Sequence, residues 1–313
     1  MQKKTKKILL TILQIIVSFT LLYLVFRHIN IKQTFHVFKK LNYLYLSIAF
    51  VFFVIFQQLL FVFRWHTILK FNNIKFSFQK LTKYHYISII FQIFLPAAVG
   101  ADAAKAVMLF PKADKVKSVN SAIIARVMGL FVLLLLSSIG ILFSHSELII
   151  KWKPALLIVT CSIMIIFLLL FIPKIKYFIR NIKWLKKIPL VNKVLMNFLE
   201  NMDFKLLSSL FCSSLLIQII TIISVFYIFL SIGVAINFIN LMIFFPLIVF
   251  LTIVIPSVVG IGTREYFLWY FFSSTIVSKN VLAAFSVVNY SLLLIVVFVG
   301  LLFWMHSIVT NRK

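Results

Sequence analysis

Long apolar runs alternate with short basic loops along the chain. Residues 8–26, 44–63, 121–143, 155–172, 206–230 and 281–305 each approach or exceed the roughly 18–20 apolar residues that carry a helix across a bilayer. This pattern predicts six spanning helices. Two further segments, 84–118 and 241–272, are apolar but interrupted by Pro and Gly, and are expected to dip into the membrane and return to the side they left. The expected fold is an all-α polytopic membrane protein: six full transmembrane helices plus two re-entrant broken helices related by an inverted repeat. All eight hydrophobic segments belong to a single integral membrane domain over 1–313.

Composition closes off the soluble alternatives. Of the 313 residues 63% are hydrophobic and 12% charged, against roughly 45–50% apolar residues in soluble domains. That leaves too little polar surface to face water. The charge is lopsided, with 32 Lys and Arg against 6 Asp and Glu, a formal +26. In a soluble protein such an excess would point to nucleic acid. Here the basic residues sit in loops between apolar runs and Phe fills the spans without a base-stacking pattern, so no nucleic-acid partner is expected. With the N-terminus inside and the two dips in place, 23 basic residues fall on the inner side and 7 on the outer. That bias predicts a multi-pass protein of the bacterial cytoplasmic membrane with both termini cytoplasmic. The Lys3-Lys4-Thr5-Lys6-Lys7 start precedes a run too long for a signal peptide, with no small-residue cleavage site before Arg27, so it reads as an uncleaved first span.

The longest polar stretch, 174–205, sets Ile175, Phe178, Ile179, Ile182 and Leu185 at helical spacing, with Lys and Arg mainly between them. It reads as a cytoplasmic amphipathic basic segment on the headgroup layer; a topology-setting loop and a lipid-recognition element both fit. Cys161 and Cys212 lie in apolar runs and read as small buried hydrophobes. The six His show no metal spacing and mostly flank spans, which suggests interfacial anchoring. Gln57, Gln58, Gln92 and Gln218 read as interhelical hydrogen-bonding groups. No nucleophile, phosphate-loop or dinucleotide signature is present, so no catalytic residue, metal or cofactor is expected.

Two segments break the plain helical pattern. Pro96-Ala97-Ala98-Val99-Gly100-Ala101-Asp102 leads to Lys105, and Pro256-Ser257-Val258-Val259-Gly260-Ile261-Gly262 leads to Arg264 and Glu265. Each runs Pro, three residues, Gly, then charge, one in each half of the chain. Pro removes a helical donor and Gly tolerates non-helical backbone, so Pro96, Gly100, Pro256, Gly260 and Gly262 are expected to break their helices. Broken backbone at membrane depth occurs where it is buried in protein or lines a wet cavity. Asp102 and Glu265 are two of only six acids, and Arg126 lies inside a span with no acid within a turn. Asp102 and Lys105, three apart, share a helix face. Arg264 and Glu265 point about 100° apart and are not expected to pair. Arg126 needs a distant partner, Asp102 or Glu265. With free N–H groups at the half-helix starts, Asp102, Lys105, Arg126, Arg264 and Glu265 would make a substrate-binding cluster of net +1 that welcomes a phosphate. Mutually neutralising ion pairs that only fix helix packing are the other reading.

At these residues the chain resembles the transmembrane domain family of lysylphosphatidylglycerol synthases, the flippase-like domain family. The resemblance rests on Pro96, Gly100 and Asp102, on Arg126, and on Pro256, Ser257, Gly260, Gly262 and Glu265, with Arg264 beside them. Lys105 stands where the family usually has Arg, and Ala125 precedes Arg126 where an acid is common. The 313 residues hold no counterpart of the soluble aminoacyl transferase domain of full-length synthases. The resemblance therefore implies a lipid translocase that moves or handles a phospholipid or polyprenyl-type lipid, with membrane lipids, of anionic headgroup, as partners. A separately encoded lipid-modifying enzyme would be a further partner; the membrane part of an aminoacyl-phospholipid (lysylphosphatidylglycerol) synthase system and a small-solute or ion transporter are the alternatives.

Overall fold

The structure, a computed structural model, describes residues 37–94, 99–143, 204–255, 260–272 and 277–310, with scattered positions among 20–23 and 153–165. The described residues are helical and contain no strand. Among the described residues, four helices are long and apolar enough to cross a membrane: α1 (Tyr43–Phe71), α4 (Lys115–Phe143), α5 (Phe204–Ser231) and α8 (Lys279–Thr310). Between α1 and α4 lie α2 (Phe78–Phe94) and α3 (Val99–Leu109); between α5 and α8 lie α6 (Phe238–Val254) and α7 (Thr263–Phe272). The second interrupted segment is thus helix, turn, helix; in the first, Gly100, expected to break the helix, lies within α3, and residues 95–98 lie outside the described residues. The expected span 8–26 lies outside the described residues, as do Pro96, Pro256 and Ser257 and nearly all of 174–205; the span 155–172 is described only in part.

Local sequence explains the helix ends. Asn42 starts α1 by accepting hydrogen bonds from the Leu44 and Tyr45 amides at 3.0 and 3.3 Å. Asp114 starts α4 by accepting from the Lys117 amide at 3.0 Å. α1 runs eight residues past the expected boundary at 63 and ends on Asn73, whose φ of 58° lets the Ile74 amide reach back to the Leu69 carbonyl at 2.9 Å. α5 ends the same way on Gly233, φ 82°, with the Val234 amide on the Phe229 carbonyl at 3.0 Å.

These two ends belong to a wider correspondence. Asn73 and Gly233, Phe78 and Phe238, Gly100 and Gly260, and Gly140 and Gly300 each stand 160 residues apart. The order long helix, broken pair, long helix therefore occurs twice, and the two units are exchanged in space. α4 of the first packs on α6 of the second, while α8 of the second packs on α2 of the first. Such reciprocity is the mark of a two-fold relation. The crossings use equivalent glycines: Gly140 lies against the Ile243 backbone and Gly300 against the Tyr86 carbonyl.

α1 and α5 pack along their length and run antiparallel. The Asn42 amide donates to the Ser231 carbonyl, the Ser224 hydroxyl to the Ala49 carbonyl, and Arg64 to the Ser214 hydroxyl. A π-helical stretch, Val51–Phe56, interrupts α1 near its middle. The Val54 carbonyl accepts from the Tyr86 hydroxyl at 2.8 Å, and the Phe53 carbonyl from the Gln58 side chain at 2.9 Å. Gln57 donates to Thr221 at 2.6 Å. Gln57 and Gln58 thus serve in helix packing, as expected. His85 does not sit at an interface: it is buried, its Nε2 2.9 Å from the Gln58 side-chain oxygen. Cys161 and Cys212, expected to be buried, lie on the outer surface, because apolar residues of a spanning helix are stable facing lipid as well as facing protein.

Candidate functional site

A cavity of about 330 Å³ opens between α1, α3, α4, α5, α6 and the start of α7, within the roughly 300–1,000 Å³ of small-molecule sites. One of its walls is Gln218, midway along the 28-residue α5, and so roughly 20 Å from either end at 1.5 Å per residue. Gln92 lies on the same wall system, so the second pair of glutamines faces the cavity rather than another helix.

Four of the five sequence-predicted site residues line this cavity: Asp102, Lys105, Arg126 and Arg264. Asp102, in the first turn of α3, pairs with Arg126 of α4 at 3.3 Å, each side chain about a quarter exposed. Arg126 thus has one of its two expected distant partners. The pair also fixes depth, since Arg126 is 11 residues into the 29-residue α4, roughly 16 Å from its start. Lys105, one turn along α3 from Asp102, has no ion pair among the described residues. Its ammonium instead lies 6.0 and 5.8 Å from the Phe61 and Trp65 rings, a weak cation–π cradle.

At the second break, Gly260 and Gly262 take φ of 78° and 84°, backbone that a side chain would strain. The turn they make lets α7 begin at once. The Arg264 amide donates to the Gly260 carbonyl and the Tyr266 amide to the Gly262 carbonyl, both at 2.9 Å. Glu265 closes this start: its Oε2 accepts from the Gly262 amide at 2.7 Å, the reach of a capping-box glutamate. The amide of Gly262, the residue that caps α7, is therefore occupied and not free for an anion, contrary to expectation. The expectation that Arg264 and Glu265 would not pair also fails. Because the carboxylate folds back over the turn, its Oε1 comes to 3.6 Å from Arg264 Nε. Glu265 is 6% exposed and is not among the lining residues; it acts from behind Arg264. The Arg264 guanidinium lies 4.3 Å from the Tyr290 ring centre. With the Asn289 amide oxygen turned towards it, that oxygen accepts from Nη1 at 2.8 Å and Nη2 at 3.3 Å. Asn289 and Tyr290 come from α8, so the second unit's own long helix holds the arginine in place.

Sequence reasoning missed Arg64, counting it with the cytoplasmic loop charges. It is 7% exposed, lines the cavity, and donates from Nη1 to Ser214 of α5 at 3.0 Å. Its Nε is buried and has no hydrogen-bond partner among the described residues. One signal was available: Arg64 follows Gln57 by seven residues and so shares its face, and apolar residues continue at helical spacing to Phe71. Gly129 makes room for it, since a Cβ there would meet the guanidinium at 3.2 Å.

Among the described residues the lining thus holds four cationic side chains and one carboxylate, a net +3, or +2 once Glu265 is included. At membrane depth an unbalanced charge costs at least about 2.5–3.5 kcal/mol on insertion scales. An arrangement with such an excess is most stable when an anion occupies it.

A family model described as lysylphosphatidylglycerol synthase TM region matches residues 11–308. The chain belongs to that family. The match spans both 160-residue-related units and every charged residue of the cavity, so this lysylphosphatidylglycerol synthase TM-region protein is a multi-pass membrane protein of a family linked to lipid handling. No curated protein sequence matches the chain.

Proposed function

We propose that the protein translocates a lipid across the cytoplasmic membrane, the headgroup passing through the polar cavity while the tails stay in the bilayer. The carrying observation is the cavity itself: Arg64, Lys105, Arg126 and Arg264 converge on one space between spanning helices, with Asp102 the one lining carboxylate among the described residues. Arg126 and Arg264 hold the phosphate of an anionic headgroup. Asp102 orients the first through its 3.3 Å pair, and Glu265 supports the second from behind. In this reading these residues contribute binding and a path.

In this reading the broken pairs α2–α3 and α6–α7 are re-entrant and enter from opposite faces. The antiparallel packing of α1 on α5, equivalent helices of the two units, supports an axis in the membrane plane and hence an inverted repeat. Both termini are then cytoplasmic, and six spans accompany the two hairpins.

The test is movement of a fluorescent anionic phospholipid between leaflets of proteoliposomes. Arg126→Gln and Arg264→Gln are expected to cut the rate at least about tenfold, the loss of one charge-assisted contact, while expression and helix content stay normal. Wild-type rates in both variants reject the path. Uptake of a soluble anion without lipid movement favours a solute transporter instead.

A further inference from the structure

The charge and placement of the cavity residues narrow the ligand beyond an anionic headgroup. We infer that the site is built for a terminal phosphate, a phosphomonoester or diphosphate of about two negative charges, and discriminates against phosphodiester and amine-bearing headgroups. The inference rests on the cavity proposed above as the translocation path.

Charge balance is the first argument. Asp102 is committed to Arg126 at 3.3 Å. Glu265 divides its carboxylate between the Gly262 amide and Arg264, and at 3.6 Å from Nε it leaves the guanidinium partly uncompensated. Among the described residues, Arg64 has the neutral Ser214 hydroxyl as its hydrogen-bond partner, and Lys105 has two aromatic rings. A phosphodiester brings one negative charge and leaves most of this excess in place. A terminal phosphate brings about −1.5 to −2 and three acceptor oxygens. A headgroup with an added amine would raise the positive excess.

Direction is the second. The cations come from four different helices, Arg64 from α1, Lys105 from α3, Arg126 from α4 and Arg264 from α7. Cations contributed by four helices suit a group with three free oxygens better than a diester with two. The 160-residue correspondence adds a third point. Lys105 and Glu265 occupy equivalent positions in the two units, yet Lys105 faces the cavity and Glu265 caps its own helix. The acid that could have balanced the site is withdrawn from it.

The test uses the full chain in nanodiscs of neutral lipid, with affinities read by native mass spectrometry. Phosphatidic acid is compared with phosphatidylmethanol of the same tails, which differs by one charge and one methyl group, and with an aminoacylated phosphatidylglycerol. Phosphatidic acid is expected to bind at least about tenfold tighter than phosphatidylmethanol, and the aminoacylated lipid more weakly than either. Lys105→Gln is expected to shrink the preference while Lys105→Arg retains it. Equal or reversed affinities for the first two lipids overturn the inference, as does tighter binding of the aminoacylated lipid; the wild-type comparison stands even if a variant fails to fold. Pyrophosphate that displaces phosphatidic acid at equal concentration assigns the terminal phosphate to a soluble ligand. Pyrophosphate that does not displace it assigns the phosphate to a lipid. Preference for phosphatidic acid without leaflet exchange in proteoliposomes keeps the ligand class and rejects translocation; exchange of diester lipids without that preference does the reverse.

Discussion

Replacement of Gly300 by Ala probes the exchanged packing of the two units most directly. A Cβ at Gly300 would collide with the Tyr86 carbonyl oxygen and stand 2.9 Å from its carbon. Both obstacles are backbone, so a side-chain rotation cannot relieve them. α2 is also held from another side, because the Tyr86 hydroxyl is bonded to the Val54 carbonyl at 2.8 Å. The strain therefore falls on the α8–α2 crossing, and overpacking of this kind costs about 1–3 kcal/mol. At about 2 °C per kcal/mol for a chain of this size, Gly300→Ala is expected to unfold about 2–6 °C below the wild type in a detergent thermal melt. Gly140→Ala, whose Cβ would meet the Ile243 Cα at 2.7 Å, should show a similar loss at the equivalent crossing. Gly233→Ala separates this effect from general glycine replacement. Nothing lies within 4 Å of its added Cβ, so only the left-handed backbone is penalised, by about 1–2 kcal/mol. A Gly300→Ala protein that melts within about 1 °C of the wild type, below the smallest shift expected from overpacking, would refute the close crossing and with it the reciprocal arrangement.

Two further substitutions act on the site. Glu265→Ala removes the carboxylate that caps α7 and is expected to lower stability by about 1–2 kcal/mol, read as a fall in melting temperature that Glu265→Gln partly restores through its side-chain oxygen. Gly129→Ala places a methyl group against the Arg64 guanidinium at 3.2 Å; because a side chain can yield, melting should change by less than about 1 kcal/mol while leaflet exchange slows several-fold, and unchanged exchange would remove Arg64 from the path.

The sequence alone determined the membrane class, four of the spanning helices and the helix break at Gly260 and Gly262. These depend on run length, Pro and Gly, which act over a few residues wherever the helix is placed. It also selected Asp102, Lys105, Arg126 and Arg264, because a charge inside an apolar run is costly in any membrane fold. Which charges meet was decided by the tertiary structure. Arg126 found Asp102 because α3 descends beside α4. Arg64 entered the cavity because α1 continues past residue 63 and α5 packs against it. Glu265 turned from ligand candidate to helix cap because Gly260 and Gly262 bend the chain so that its own carboxylate reaches the Gly262 amide. Helix formation and insertion are local in sequence, whereas partner choice among buried charges depends on how helices distant in the chain cross, and those crossings are set by close contacts such as Gly140 on Ile243 and Gly300 on Tyr86.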